Sequence, residues 1–163
     1  MSSTSDPTTR AEVLRIADQL RRAVEGANWS GPNLRSLIDS VTPEVALARP
    51  FAGAHTIGEL VAHTAVWMEV PVRRFLQGEA YDPPPALDWP AVEGEAGWAA
   101  AQARLDAAYG ALLAALDTLT DDQLGEGTPG KSYTTYVLLH GVVQHTLYHA
   151  GQIALLRNAV AAG

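Results

Sequence analysis

Apolar residues recur at three- and four-residue steps in four long segments of the chain, the spacing that places them on one face of an α-helix. The segments run from about Thr9 to Glu25, from Thr56 to about Gln77, from about Glu95 to Leu119, and from Thr134 to Val160. No alternation of strand-like and helix-like segments is visible. We therefore predict an all-α fold, a four-helix bundle.

Between the first and second predicted helices the periodicity is broken by glycines and prolines. Asn33 to Asp39 nevertheless reads as a short helix, and a second helical turn begins at Thr42. Pro43 takes the first helical position of that turn, where its missing N–H costs nothing. Because apolar residues recur through this stretch, we expect short extra helices in a folded connection, not a linker between domains.

Two stretches carry the pattern of a capping box, in which a threonine hydroxyl and a glutamate satisfy each other's backbone N–H groups. They are Thr9–Glu12, at the start of the first helix, and Thr56–Glu59, at the start of the second. Pro71 lies inside the second helical pattern and removes one backbone hydrogen bond. We expect a kink between Val66 and Pro71, with the helix continuing to about Gln77.

The segment Gly78–Gly94 is rich in proline and acidic residues and is the least helical part of the middle of the chain. We expect a solvated connecting loop, and a lid over a binding pocket is the alternative. The third helix that follows has many alanines, which allow close helix approach. We expect a homodimer, and this helix is a candidate surface for it.

The length of 163 residues suits one domain, which we place at residues 8–161 after a disordered N-terminus at residues 1–7. Cysteine is absent, which excludes disulfides, a cysteine nucleophile and cysteine ligands to a metal. The first residues lack the basic and apolar regions of a signal peptide, and no apolar run approaches the ~20 residues of a membrane span. We expect a cytoplasmic protein that does not contact a membrane.

The formal net charge is −7, from 11 basic and 18 acidic residues. This charge argues against a general role in nucleic-acid binding, because phosphate contacts need basic patches, and we expect no nucleic-acid partner. Gly125–Ser132 matches the phosphate-binding pattern G-x-x-x-x-G-K-[ST] in full. That loop works only between a strand and a helix, and the segment before it is helical, so we interpret the match as coincidence.

Three of the five histidines lie on apolar helical stripes. His145 and His149 are one turn apart in the last helix, and His63 lies on the inner face of the second helix. Core histidines that hydrogen-bond a carbonyl would explain the pattern. Alternatively, three imidazoles from two helices would bind one metal ion and leave a coordination position open, as in catalytic sites.

Four further residues are candidates for a role at this site. Gln152 lies one turn beyond His149, where it could orient a ligand or a bound water; hydrogen bonding to the neighbouring backbone is an equal alternative. Glu59 is sufficiently explained by its capping box. His140 points away from His145, which indicates a surface or interface position, and His55 precedes a helix cap and should be exposed.

The run H-T-L-Y-H-A-G-Q-I-A-L-L-R at His145–Arg157, with T-I-G-E-L-V-A-H-T-A-V-W at Thr56–Trp67, resembles the DinB-like family of four-helix metalloproteins. The resemblance runs from about Asn33 to Arg157. It implies that the histidines at positions 63, 145 and 149 are ligands of a divalent metal ion, with nickel and zinc as the leading ions. The family pattern gives no such role to the other two histidines.

The resemblance also implies an activity, since the family includes thiol S-transferases and a thiol-dependent isomerase. We expect a metal-dependent thiol S-transferase that acts on a small molecule and uses a low-molecular-weight thiol as nucleophile. The alternatives are a hydrolase with a metal-bound water and a metal-binding stress protein without turnover, since the family is associated with DNA-damage induction. Arg73 and Arg74 lie roughly 15 Å along the helix from His63 and are expected to be surface charges.

Overall fold

The apolar periodicity correctly predicts an all-α bundle. The structure, a computed structural model, describes residues 9–162, so the expected disorder of residues 1–7 lies outside the described part. The long helices are α1 (Ala11–Val24), α4 (Ile57–Pro71), α6 (Gly94–Leu116) and α7 (Thr135–Ala162). The short helices are α2 (Leu34–Ile38), α3 (Pro43–Leu47) and α5 (Pro85–Asp88). No β-strand occurs within residues 9–162.

Helix α4 is the centre of the bundle. It packs against α6 and α7, while α1 packs against α6 and α7. Of its 15 residues, 12 are buried, so it has almost no solvent face. A helix that is apolar all round must be surrounded by others, which explains its central position. None of the helices in residues 9–162 has the length and hydropathy needed to cross a membrane.

The two predicted capping boxes have different outcomes. The box at Thr56 and Glu59 is confirmed, with the Glu59 N–H donating to Thr56 Oγ1 at 3.1 Å and the Thr56 N–H donating to Glu59 Oε2 at 2.9 Å. The prediction of a capping box at Thr9–Glu12 is wrong. The N–H groups of Glu12 and Val13 donate instead to the Asp121 carboxylate, at 3.0 and 2.9 Å. A charged acceptor at a helix N-terminus is a stronger cap than a hydroxyl, and here tertiary structure supplies one.

The irregularity caused by Pro71 follows the proline instead of preceding it. The α-helix ends at Pro71 and continues without a break as a π-helical turn, Val72–Leu76. The helical path therefore extends as far as predicted. Wide turns of this kind inside helices are frequent near functional sites.

The loop that matches the phosphate-binding pattern has another structural role. It follows a 3₁₀ turn, Asp122–Gly125, and leads into α7, so the strand that a phosphate loop requires is lacking within the described residues. Gly130 has φ +74°, and a Cβ there would lie 2.8 Å from the Ala80 Cβ. Lys131 Nζ donates to Asp82 Oδ2 at 2.8 Å. The glycine allows this loop to pack closely on the segment after α4, and the lysine pairs the two.

Arg74 is buried, with 1% of its side chain exposed, so its expected position at the surface is wrong. Its guanidinium donates to the Tyr81 carbonyl at 2.8 Å, to Tyr133 Oη at 2.7 Å and to Asp82 Oδ1 at 2.5 Å. It therefore joins the end of the α4 region to two loops. Arg73 remains at the surface, 38% exposed, as expected. Acceptors from distant segments, which local spacing does not reveal, make the burial of Arg74 possible.

Replacing Arg74 should therefore destabilise the fold far more than replacing its neighbour. We expect Arg74→Leu to lower the free energy of unfolding by about 3 kcal/mol, because the fold loses a buried guanidinium that donates to three acceptors on two loops. Arg73→Leu, the matched control, should cost less than about 1 kcal/mol, as for an exposed ion pair. Urea unfolding followed by circular dichroism measures both. Equal effects of the two substitutions would contradict the assigned role of Arg74.

Candidate metal centre

Three imidazole rings from two helices meet inside the bundle. His145 Nε2 lies 2.9 Å from His149 Nε2 and 3.1 Å from His63 Nε2. All three potential ligand atoms lie within 4.8 Å of one another. His145 and His149 are one turn apart on α7, while His63 comes from the facing side of α4. The structure thus brings together the three histidines that the sequence singles out.

Hydrogen bonds at the far side of two rings orient them. His63 Nδ1 is 2.7 Å from the Asp88 carbonyl oxygen, and His149 Nδ1 is 2.6 Å from Gln152 Oε1. Because both partners are acceptors, each Nδ1 must carry the proton and donate it. Each Nε2 then presents a lone pair to the centre of the cluster, as metal-binding histidines do. Gln152 thus contacts a histidine ring and not the backbone.

Burial keeps the cluster uncharged. It is the largest cause that lowers the pKa of His63 and of His149. The pKa of His145 is lowered to about 3, first by burial and then by the two neighbouring histidines. Its Nδ1 is also buried and has no hydrogen-bond partner within the described residues. Neutral imidazole is the form that binds a metal, so at neutral pH no proton has to be removed.

The cluster fits a divalent cation. Two ligands roughly 2.1 Å from one ion, at roughly 90° to 110° from each other, lie about 3.0–3.4 Å apart. The separations of 2.9 and 3.1 Å from His145 Nε2 to the other two Nε2 atoms are close to this range, and all three atoms lie within 4.8 Å of one another. When His145 carries its proton on Nδ1 like the other two rings, three lone pairs converge, and a cation would relieve their repulsion. Three nitrogen ligands leave at least one position open for a further ligand, the arrangement of catalytic sites.

The segment between α4 and α6 forms one wall of the cluster. The Trp89 ring is stacked on His63, with centroids 3.7 Å apart and planes within 4° of parallel. Trp67 Nε1 donates to Asp88 Oδ1 at 2.7 Å, which holds the residue whose carbonyl accepts from His63. The expectation of a solvated connecting loop is therefore wrong for this part of Gly78–Gly94. Its apolar and hydrogen-bonding groups contact residues of α4.

The remaining two histidines lie outside the cluster. His55 is exposed, as expected, but it stacks on Trp89 with centroids 3.5 Å apart. His140 is half-buried against Tyr136, and its Nε2 has no partner within the described residues. Glu59 is held by its cap and by Arg49, whose guanidinium donates to it at 2.8 Å. None of the three adds a ligand atom to the cluster.

Two cavities adjoin the histidines. One of about 430 Å³ has His149 in its wall, and another of about 280 Å³ has His145 in its wall. The wall of the larger comprises Phe51, Gly53, Ala54, His55, Leu60, Trp89, Tyr148, His149, Gln152, Leu155 and Leu156. The wall of the smaller comprises Trp67, Tyr133, Val137, Leu138, Gly141, Val142 and His145. Both are mainly apolar, so molecules can approach the histidines through water-poor surroundings.

Sequence reasoning missed Asp88, Trp89 and Trp67 as parts of this site. The available signal was Trp89 itself, since a tryptophan within an acidic, proline-rich segment needs a buried surface to pack against. The partner of Asp88 had no such signal, because its contact with His63 uses the backbone carbonyl. Any residue type could supply that atom.

Comparison with known proteins agrees with this architecture and gives the family. Comparisons with curated protein sequences and with solved structures yielded no significant match. The sequence profile of the DinB superfamily, in contrast, matches residues 26–153. That range covers most of the chain and includes all three clustered histidines, the wall segment and the greater part of α7. The chain therefore belongs to the DinB superfamily.

Proposed function

We propose that this protein is a metal-dependent thiol S-transferase. In this proposal His63, His145 and His149 bind one divalent ion, nickel or zinc, and a low-molecular-weight thiol supplies the nucleophile. The observation that carries the proposal is the convergence of three Nε2 atoms, 2.9 and 3.1 Å apart, from two helices. Burying three uncharged imidazole nitrogens in an apolar core costs free energy unless they bind a partner such as a metal ion.

In the proposed reaction the ion and the protein chain make different contributions. When bound, a divalent ion acts as a Lewis acid that favours a thiolate over a thiol at neutral pH. The chain contributes position: the Asp88 carbonyl and the Gln152 amide fix the orientation of two imidazole rings. Trp89 covers one face of His63 and excludes water from it. With no cysteine in the sequence, the sulfur must come from outside.

The cavity walls favour a thiol over water as the nucleophile. A hydrolase of this type would benefit from a carboxylate that accepts a proton from water. Within residues 9–162, no aspartate or glutamate lines either cavity beside the histidines. The Asp88 carboxylate is nearby but accepts from Trp67 and lies 3.2 Å from His63 Nδ1. A thiolate needs no general base once it is formed, so it suits these apolar walls better.

Metal content tests the proposed site directly. The untagged protein, purified without added metal, should contain about one nickel or zinc ion per chain by mass spectrometry, or take one up on titration. His145→Ala should lose the ion, because only two nitrogen ligands from the chain remain. Its helical circular dichroism should persist. His140→Ala is the matched control on the same helix and should keep the ion. A wild-type protein that binds no divalent ion would refute the proposal.

The thiol is tested by spectroscopy. With cobalt(II) as a coloured substitute in the site, a low-molecular-weight thiol such as cysteine or glutathione should produce sulfur-to-metal charge-transfer absorption, because the three-ligand site has room for a fourth donor. The His145→Ala variant should not show it. If the cobalt protein is formed and no thiol among a panel changes its spectrum, the transferase assignment fails and only metal binding remains.

Gln152 should tune metal affinity without holding the fold. Gln152→Leu removes the acceptor for His149 Nδ1, and we expect about 10–100-fold weaker metal binding. Gln152→Glu should bind at least as tightly as the wild type, since a carboxylate is a better acceptor. Gln144→Leu, at an exposed site on the same helix, should leave affinity unchanged. Competition with a chromophoric chelator measures all four proteins. Equal affinity in Gln152→Leu and the wild type would mean that this hydrogen bond does not serve the site.

A further inference from the structure

The larger cavity beside the histidines has an unusual chemical character for the surface of an acidic protein. Of the described residues in its wall, none is a lysine, arginine, aspartate or glutamate. The chain as a whole has 29 such residues among 163, from 11 basic and 18 acidic ones. A charged ligand would lose its hydration on entry and find no charged side chain in the wall, which is costly. The nearest charges, Arg49 and Glu59, lie behind Ala54 and His55 and are paired with each other. The cavity therefore discriminates against ions.

The polar groups of the wall are few, and two of them are already engaged. Gln152 Oε1 accepts from His149, and His55 is stacked on Trp89 and lies 3.3 Å from a Glu59 oxygen. Among the described side chains of the wall, the Tyr148 hydroxyl, the Gln152 amide nitrogen and His55 Nε2 are left to bind a ligand, which is a small number for a highly polar molecule. The remaining surface is aliphatic and aromatic, which suits contacts with rings and hydrocarbon groups.

Large apolar side chains are exposed around this cavity. Phe51 is 45% exposed, Tyr148 is 64% exposed and Leu155 is 61% exposed, and all three belong to its wall. Exposed apolar side chains scattered singly are ordinary, but a group around one concave site marks a binding surface. Its volume of about 430 Å³ is appropriate for a small molecule, since such sites span ~300–1,000 Å³.

We infer that this cavity binds an uncharged, apolar small molecule with an aromatic or alicyclic ring, next to His149. The inference rests on the proposed function for the role of this molecule, which is that of the electrophilic substrate. His149 is part of both the wall and the cluster, so a molecule in the cavity lies beside the place where a thiol would be held. The wall then favours neutral electrophiles, because an anion would find an attractive charge only at the ion that the three histidines would hold and none along the rest of the cavity.

A pair of fluorescent probes with the same rings tests the discrimination. N-phenyl-1-naphthylamine is neutral, and 8-anilinonaphthalene-1-sulfonate adds one sulfonate to the same framework. We expect the wild-type protein to bind the neutral probe at least about tenfold more tightly, measured by the rise in fluorescence. Equal or tighter binding of the sulfonate, or no binding of the neutral probe, would overturn the inference; the second result would also follow if self-association covered the rim.

Variants locate the binding. Leu155→Arg places a positive charge at an exposed position of the rim, and we expect it to weaken binding of the neutral probe about tenfold and to strengthen binding of the sulfonate. Ala54→Trp fills the cavity and should abolish binding of both. Leu14→Arg is the matched control, because Leu14 is 52% exposed on α1 and outside the cavity wall. If Leu14→Arg acts like Leu155→Arg, or if neither cavity variant affects binding, the inference is wrong.

Measuring metal content in the same samples separates the two proposals. Probe binding with the expected pattern in a protein that takes up no metal would refute the proposed function and leave the cavity as a site for neutral ligands. Stoichiometric metal together with probe binding that ignores the cavity variants would refute the inference and leave the metal site intact. Circular dichroism of each variant shows whether the fold is retained.

Discussion

The Nε2 atoms of three uncharged imidazole rings converge inside the bundle, and contacts with the surrounding residues hold the rings in place. Lone pairs that face each other repel, and polar atoms in an apolar interior are costly without partners. Two of the rings are therefore anchored at their outer nitrogens, one by the Asp88 carbonyl and one by Gln152. The helices that carry them are a central, almost fully buried α4 and the long α7, so the rings have little freedom to separate.

A second buried polar centre, Arg74, lies at the end of the α4 region. Arg74 donates to acceptors in the segment after α4 and to a tyrosine just before α7. A buried guanidinium is tolerated only when its acceptors are in place, because the desolvation cost is otherwise uncompensated. The two loops are thus tied to each other and to the end of the α4 region. The segment that Arg74 holds continues along the chain to Asp88 and Trp89, which contact His63.

The site combines three clustered imidazole rings with two adjoining cavities whose walls are mainly apolar. Neither adjoining cavity has a charged aspartate, glutamate, lysine or arginine among its described wall residues. Low polarity strengthens electrostatic effects at the centre and weakens the competition from water. Such surroundings suit a soft nucleophile and a neutral partner better than they suit the activation of water. Membership of the DinB superfamily and the buried histidine cluster are both compatible with metal binding.

The sequence by itself determined the four helices, because apolar spacing and the positions of proline and glycine act within a few residues of one another. It also marked the histidines at positions 63, 145 and 149, since each interrupts an apolar stripe. Only the tertiary structure decided that Asp121 caps α1, that Arg74 is buried, and that Asp88 and Trp89 form the wall at His63. Each of these depends on partners that are distant in sequence or on a backbone atom that every residue type possesses. Local patterns do not identify the partners in such contacts, so packing of the whole chain was needed to reveal them.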